Sequence, residues 1–430
     1  MQSITDIVIT ILVLSFLIVF HEFGHYLVAR LCGVGIREFS VGFGPAFWKK
    51  RRGPTLFAIR LLPLGGYVRM KGLEDEEPSS DPDSFTSKRV WQRMAIIVAG
   101  PVMNLLLGLF LFYAEAATIG VPKNMPVISE VVPGSPAARA GIERGDLVLT
   151  VNGRPFDDPD HVDFSSSSGV RLTLQSLNGR TKEVFVVPQV VNYGEMTKKG
   201  IGVIFQFNTQ VRSRVEGVAP GAPAALAGVR PGDEILTING MPLNQFIQVL
   251  SLEAQKPGFK PQPITIEWKH DGQVFKRILP VSDDLLAGLE PQTDRSRLSL
   301  VGSAREAYDR LTSALANFAA FFVALLRHPK SVSGQISGPV GIFRITVRTL
   351  QMGYDRLLEL MAILSISLGV MNLIPFPPLD GSRLAFLGFE VISMRPVNRA
   401  RENLIHLVGA IILVTLILWL SVHEIAHPNL

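Results

Sequence analysis

The sequence is poor in cysteine and in charge. A single cysteine, Cys32, stands in 430 residues, so no internal disulfide can form and a disulfide-stapled secreted domain is excluded. Asp, Glu, Lys and Arg make up only 18% of the chain, below the roughly one quarter of an average soluble domain. Hydrophobic residues account for 47%, which excludes a disordered chain and argues against a wholly soluble one. With 38 Gly and 29 Pro, a long coiled coil is excluded as well. No Ser-His-Asp arrangement and no glycine loop of a nucleotide site is readable. The formal net charge of +5 is not a nucleic-acid signal, because the cations cluster beside apolar runs, which is the membrane pattern.

Three runs are long enough to cross a hydrocarbon layer of roughly 30 Å, which takes about 20 apolar residues. They are Met94–Ala114, Leu357–Ile374 and Leu404–Leu420. A fourth starts at Ile4 and runs through Phe20 into His21. It has no basic residue before it and no small-residue cleavage site after it, so it reads as an uncleaved anchor. Arg30, Arg37, Lys49, Lys50, Arg51 and Arg52 follow it, and Lys88, Arg89 and Arg93 precede the second span. Arg383, Arg395, Arg399 and Arg401 lie between the third and fourth. The positive-inside rule then puts residues 30–93 and 381–402 in the cytoplasm, with both termini and the region 120–355 outside. The shorter run Leu311–Leu326 reads as an interfacial or packed helix. Asp6, Glu115 and Glu359 sit near span ends, within reach of headgroups; His406 is expected at the interface, and Cys32 packs as a small apolar residue.

Outside the membrane the chain repeats itself. Residues 128–156 and 215–243 align without a gap, sharing 15 of 29 positions in the frame V-x-P-G-x-P-A-A-x-A-G followed by G-D-x-x-L-T-x-N-G-x-P. Each copy reads as a turn, a short helix, a glycine stop and a strand that turns at Asn152-Gly153 or Asn239-Gly240. Both copies resemble PDZ domains of the circularly permuted bacterial kind, which bind extended peptides at a sheet edge. In the second copy, Gly200-Ile201-Gly202-Val203 is expected at the carboxylate loop.

His21-Glu22-Phe23-Gly24-His25 is an H-E-x-x-H motif. On a helix, positions i and i+4 point the same way, so both imidazoles reach one zinc ion. Glu22 beside them is suited to take a proton from water there. Gly24 offers a close approach for another backbone. A catalytic zinc needs a third protein ligand. The third span ends in Asn372-Leu373-Ile374-Pro375-Phe376-Pro377-Pro378-Leu379-Asp380-Gly381, whose prolines break the helix at a membrane face. Asp380 reaches the side of His21 and His25 only if Leu311–Leu326 does not cross. A second motif, His423-Glu424-Ile425-Ala426-His427, lies beyond the fourth span on the opposite side and is expected to be a terminal accident or an adventitious metal site.

The stretches HEFGHYLVARLCGVGIREFSVGFGP, PLGGYVRM, AGPVMN, SGPVGI and NLIPFPPLDG together resemble the site-2 protease family of intramembrane zinc metalloproteases. Two PDZ modules between the second and third spans narrow the likeness to its bacterial branch, and the resemblance covers essentially the whole chain. It departs at Ser382, where many relatives carry a second glycine. The resemblance implies one Zn2+ held by His21, His25 and Asp380, with Glu22 as general base. It implies hydrolysis of peptide bonds within or near the transmembrane segment of a single-pass protein in the cell inner membrane. The expected substrates are an anti-sigma factor of an envelope stress response, already shortened outside, and remnant signal peptides. The PDZ pair is expected to exclude intact outer domains, and peptides are its expected ligands; the lipid bilayer is a partner and nucleic acid is not. In the family, Asn372, Pro375 and Pro377 are linked to substrate handling. Leu56–Arg60 and Tyr67–Met70, joined through Pro63-Leu64-Gly65-Gly66, read as a β-hairpin beside the membrane whose free edge holds an unwound substrate. Gly65, Gly66 and Tyr67 are therefore substrate-binding candidates.

The expected fold is a polytopic α-helical membrane protein with four spans, a membrane-associated β-hairpin and two tandem α+β PDZ domains on the periplasmic side. Its divisions are 1–120 (first two spans, H-E-x-x-H and hairpin), 121–200 and 201–290 (the PDZ domains), 291–355 (a periplasmic interfacial helical segment) and 356–430 (last two spans). Two other classes compete. A catalytically inactive membrane-anchored PDZ scaffold would need no metal, and a zinc transporter would need ionisable residues spread through several spans.

Overall fold

The computed structural model describes residues 4–73, 81–156, 164, 168–193, 196–256, 258–282, 284–327, 338–352, 354–395 and 397–426. In chain order the helices are α1 (Ile4–Leu31), α2 (Val90–Thr118), the one-turn α3 (Pro136–Arg139) and α4 (Pro223–Leu226), α5 (Leu243–Glu253), α6 (Leu300–Arg327), α7 (Pro339–Met352), α8 (Tyr354–Leu373), α9 (Asp380–Ser393) and α10 (Arg399–Ala426). The chain forms two units, residues 1–119 with 298–430, and residues 120–297.

In the first unit, four stretches are long and apolar enough to cross a membrane: Thr5–Leu31, Val90–Thr118, Arg356–Leu373 and Ala400–Ala426. Helices suit these runs because each satisfies its own backbone hydrogen bonds without water. The chain is a polytopic membrane protein with β-rich parts. α2 and α8 meet through small residues, as lipid-embedded helices do. A Cβ on Gly108 would stand 2.5 Å from Ile366 Cγ1, and one on Gly369 would stand 2.9 Å from the Pro101 carbonyl oxygen. Ser365 Oγ donates across the same seam to the Asn104 carbonyl, at 2.8 Å.

The run Leu311–Leu326 lies within α6. Ala307, Leu311, Ala314, Leu315 and Phe318 form an apolar stripe that packs with Leu107 and Leu111 of α2 and Ile366 of α8. At the top of this seam the expectation for Glu115 is corrected. Its side chain is 1% exposed, and it accepts from Arg310 Nη1 of α6 at 3.0 Å. Arg310 also binds Glu306 at 2.8 Å and covers the Phe112 ring at 5.6 Å. Sequence position alone showed a carboxylate at the end of an apolar run; its cation lies far along the chain.

Between α1 and α2 the chain makes a two-stranded ribbon, β1 (Ile36–Arg52) and β2 (Thr55–Met70), paired antiparallel with repeated register shifts. These shifts give the first part of β1 neighbours on both flanks: Phe39 lies opposite Val68 on one side and Phe57 on the other. The expected hairpin of Leu56–Arg60 with Tyr67–Met70 is therefore corrected. The two segments do not pair with each other, because residues 38–41 lie between them, and residues 46–52 fold back onto 55–60. The ribbon is tied to α1 where Ser15 Oγ donates to the Pro63 carbonyl.

The second unit holds 15 of the strands, β3 (Val121–Pro122), β4 (Asn124–Val131), β5 (Leu147–Val151), β6 (Arg154–Pro155), β7 (Val170–Gln175), β8 (Thr181–Val186), β9 (Gln189–Tyr193), β10 (Met196–Gly200), β11 (Val203–Thr209), β12 (Val211–Val218), β13 (Glu234–Ile238), β14 (Ile264–His270), β15 (Gln273–Leu279), β16 (Leu289–Thr293) and β17 (Arg295–Ser296). Most of them build two sheets of the same plan, β11-β4-β5-β7-β8 and β16-β12-β13-β14-β15, as the internal repeat requires, while β9 with β10 and β3 with β17 form separate pairs. Asn152 and Asn239 both adopt positive φ, 51° and 52°, and each side-chain oxygen accepts a backbone N–H from the next strand, that of Arg171 or Thr265. The division at residue 200 is corrected: β11 pairs with β4 and completes the first sheet, and Ile201 and Val203 belong to the first core. Gly200–Val203 is thus the last turn of the first copy. Ala287-Gly288 occupies the matching place in the second, where the Ala219 and Ala224 N–H groups donate to its carbonyls as those of Val132 and Ala137 do to Gly202 and Ile201.

Asp294 fastens this unit at one point. Its carboxylate meets Lys123 Nζ at 2.8 Å and Arg212 at 3.0 Å, and its backbone pairs with Lys123 and Gln210. The hydrogen bond from Lys123 holds the Asp294 carboxyl below its ordinary value, outweighing partial burial.

Two outcomes follow. Glu115→Ala removes one of the two carboxylates that hold Arg310 and leaves it with Glu306 alone, so it is expected to destabilise the membrane unit by about 1.5–3 kcal/mol, read as a lower melting temperature in detergent; Glu115→Leu with Arg310→Met should recover most of it. Because folding lowers the Asp294 pKa, its contribution is complete above the unfolded value of about 3.9 and is lost as pH falls through the folded pKa. Asp294→Asn should therefore cost about 1 kcal/mol near neutral pH, after screening of two half-exposed cations. That difference should vanish in acid, as chemical melts at two pH values would show.

Candidate metal centre

α1 carries His21 and His25 one turn apart, and α9 begins at Asp380 directly after the proline-rich turn that ends α8. The turn is tight because Gly381 has no side chain: a Cβ there would stand 2.3 Å from the Ile374 carbonyl oxygen. Ser382, the departure from the family pattern, closes the turn by donating its hydroxyl to the Leu379 carbonyl at 2.8 Å.

These elements bring three donor atoms together. His21 Nε2 and His25 Nε2 each lie 3.1 Å from Asp380 Oδ2, and 3.2 Å from each other. Three ligands of a tetrahedral zinc at about 2.0–2.1 Å stand roughly 3.3 Å apart, so this donor set fits that ion. Among the described residues it is the only group of three such donors. Both imidazoles are buried, at 6% and 7% exposure. His25 Nδ1 lies 2.8 Å from the Ile96 carbonyl of α2, which accepts its N–H and leaves the lone pair on Nε2. Burial alone would raise the Asp380 carboxyl, but the two imidazoles more than offset that and hold it well below the usual carboxylate range. A carboxylate that serves as a metal ligand must be ionised.

The approach of α2 is what shapes the floor. A Cβ on Gly24 would stand 2.3 Å from the Ala99 carbonyl oxygen, so this glycine does admit another backbone. On the facing helix a Cβ on Gly100 would stand 2.3 Å from His25 Nε2 and 2.8 Å from His21 Nε2. In the sequence the signal for Gly100 is only the Gly-Pro pair inside an apolar helix. Asn104, one turn further on, reaches His21 Nδ1 at 3.3 Å.

Glu22 is half-buried beside this floor. Gly66 of the ribbon lies next to it, since a Cβ on Gly66 would stand 3.6 Å from Glu22 Cγ. Gly65 adopts φ +100° against the Phe43 ring. Tyr67 donates to Glu38 at 2.9 Å and lies under Arg60, which also binds Glu38; burial, with the Glu38 hydrogen bond, pushes its phenol up. Asn372 is half-buried and donates to the Leu368 carbonyl of its own helix at 3.0 Å. Pro375 is exposed, and Pro377 packs against α10, where a Cβ on Gly409 would stand 2.4 Å from its carbonyl oxygen.

The C-terminal motif makes structural contacts. Its carboxylate, Glu424, accepts from the Gly338 and Gly341 backbone N–H groups at 2.7 and 3.1 Å, at the start of α7. A carboxylate is favoured there by the helix dipole. His423 stacks on Trp419, and His427 lies outside the described residues. His406 packs on Phe386.

Residues 9–416 match peptidase family M50. The chain is 34% identical over 432 residues to a Neisseria meningitidis serogroup A protein provisionally named as a zinc metalloprotease, with 94% of each chain covered. It is 30% identical over 450 residues to the regulator of sigma-E protease of Escherichia coli, covering 96% of each. Against the regulator of sigma E protease of Haemophilus influenzae the identity is 28% over 434 residues, covering 94% of this chain and 95% of that one.

If the α1–α2 approach shapes the centre, Gly100→Ala should lower zinc affinity at least tenfold, while Gly388→Ala, a position with no neighbour within 4 Å, should not. Chelator competition on the purified proteins measures both.

Proposed function

The chain belongs to peptidase family M50, and from that premise we propose that it is an intramembrane zinc metalloprotease of the site-2 type. One observation carries this reading: three ligand atoms from two separate helices converge at 3.1–3.2 Å, with Glu22 beside them. His21, His25 and Asp380 would hold one zinc ion. That ion, when bound, supplies Lewis acidity, which makes water nucleophilic near neutral pH and polarises the scissile carbonyl.

The chain's own residues do the rest. Glu22 takes the proton of the attacking water and returns it to the leaving amine. Ile96, through its carbonyl, keeps His25 in the ligating tautomer. A helical substrate hides its carbonyls in its own hydrogen bonds, so it must be unwound before attack. Residues 66–70 pair on one side only, with 36–41, among the described strands. Their other edge, beginning at Gly66 beside Glu22, suits an extended guest added as a further strand. The loop before it reaches α1 at Ser15, with Leu61 and Leu62 exposed, as a segment dipping into lipid would be. Gly65, Gly66 and Tyr67 are thus read as substrate-binding, and Asn372, Pro375 and Pro377, in the turn that leads to Asp380, as further substrate-handling residues.

The substrates we assign are single-pass membrane proteins: an anti-sigma factor, as the names of the two sigma-E regulators suggest, and signal-peptide remnants. The two repeated modules are read as periplasmic PDZ domains that bind peptides or turn away bulky outer domains. The charge pattern supports an orientation with the termini and these modules outside and the metal centre towards the cytoplasmic side of the inner membrane.

Glu22→Gln tests the mechanism. In liposomes with a single-pass substrate lacking its outer domain, the variant should bind zinc as the parent does and cleave at least a thousandfold more slowly. Cleavage at the parental rate would overturn the assignment of the base.

A further inference from the structure

We propose that Asn104 is a positioning residue for His21: its side-chain oxygen accepts the Nδ1–H of His21 and so fixes the tautomer and ring rotation that present Nε2 to the metal. The inference rests on the reading of His21 as a zinc ligand.

A neutral imidazole has one N–H and one lone pair. When Nε2 binds a metal, the proton must sit on Nδ1, and the group facing Nδ1 must be an acceptor. For His25 that acceptor is visible, the Ile96 carbonyl at 2.8 Å. For His21 the facing group is the Asn104 carboxamide, at 3.3 Å from Nδ1. Asn104 is completely buried, one helical turn from Gly100, the residue against which both imidazoles pack. α2 thus supplies the group facing each ring's outer nitrogen.

The orientation of the amide decides what it does. With the nitrogen towards His21, the amide donates to Nδ1 and forces the ring proton onto Nε2, the atom that lies 3.1 Å from Asp380 Oδ2. With the oxygen towards His21, it accepts from Nδ1 and leaves Nε2 a lone pair. The two ends of a carboxamide have nearly the same shape, so a half-turn exchanges them. Each orientation makes one hydrogen bond to the ring, and only the second is compatible with a ligand. The turn breaks no hydrogen bond of the oxygen, because Asn104 Oδ1 is buried with no hydrogen-bond partner. The backbone stays in place, its carbonyl held by Ser365 Oγ.

The acceptor is therefore the property that matters, and three variants of the full-length protein separate it from packing. Asn104→Leu has nearly the same size and cannot accept; Asn104→Asp can only accept; His21→Ala removes the ligand itself. Zinc affinity is measured by chelator competition in detergent, beside the melting temperature of each metal-free protein. Asn104→Leu should bind zinc 10–100-fold more weakly and Asn104→Asp within a few-fold of the parent, with the metal-free melts unchanged. Imidazole-nitrogen NMR of the metal-free protein should show the His21 proton on Nδ1 in the parent and in Asn104→Asp. Parental zinc affinity in Asn104→Leu, or an equal loss in Asn104→Asp, would overturn the proposal. If Asn104→Leu does not fold, Asn104→Asp and the His21 tautomer decide it alone. Undiminished zinc binding by His21→Ala would instead remove the ligand reading on which it stands.

Discussion

The two imidazoles of α1 face the backbone of α2 at Gly100 with no room for a methyl group between them, and the rest of the membrane unit is arranged around that approach. Lipid tails are as apolar as leucine, so helices in a bilayer gain little from hiding apolar surface from each other. What draws them together is close packing and the few hydrogen bonds that closeness permits. Gly24 and Gly100 admit the α1–α2 contact, and Gly108 and Gly369 admit α8 on the other side of α2. α2 is thereby the common wall: it touches the helix carrying the two histidines and the helix whose broken end delivers Asp380.

Polar groups follow the same logic. Four polar contacts of the apolar unit register one element on another: Ser365 on the Asn104 carbonyl, His25 on the Ile96 carbonyl, Arg310 on Glu115, Glu424 on the start of α7. A donor buried in hydrocarbon without an acceptor is costly, so each pair allows one arrangement and disfavours its neighbours. Such pairs say more about which packing is chosen than about how stable the packing is.

The parts of this fold that sequence made legible were local. The i, i+4 spacing of His21 and His25, the proline-broken end of the third span, the Asn-Gly turns and the repeat frame all depend on residues a few positions apart. The misread parts depend on partners far away. Nothing near Leu56 or Tyr67 signals that residues 38–41 come between them. Glu115 looks like an interfacial carboxylate until Arg310, on a helix beyond the whole repeat, is seen beside it. Gly200–Val203 follows the first copy in sequence, and its order alone puts it with the second, whereas β11 turns back to pair with β4. Asn104 and Gly100 could be seen only as small or polar residues in an apolar run, since their meaning lies in α1.

The short pair β3 and β17 has a further meaning. Val121–Pro122 lies beside Arg295–Ser296, so the second unit begins and ends at a single place, and Asp294 binds the chain there to its own start. A long insertion whose ends already touch imposes almost no loop-closure entropy on the chain that hosts it. To the membrane helices, the whole of residues 120–297 counts as one short turn between α2 and α6. The membrane unit is free to be inherited, shortened or refitted with one, two or no such modules, without a change in the helices that hold the chemistry.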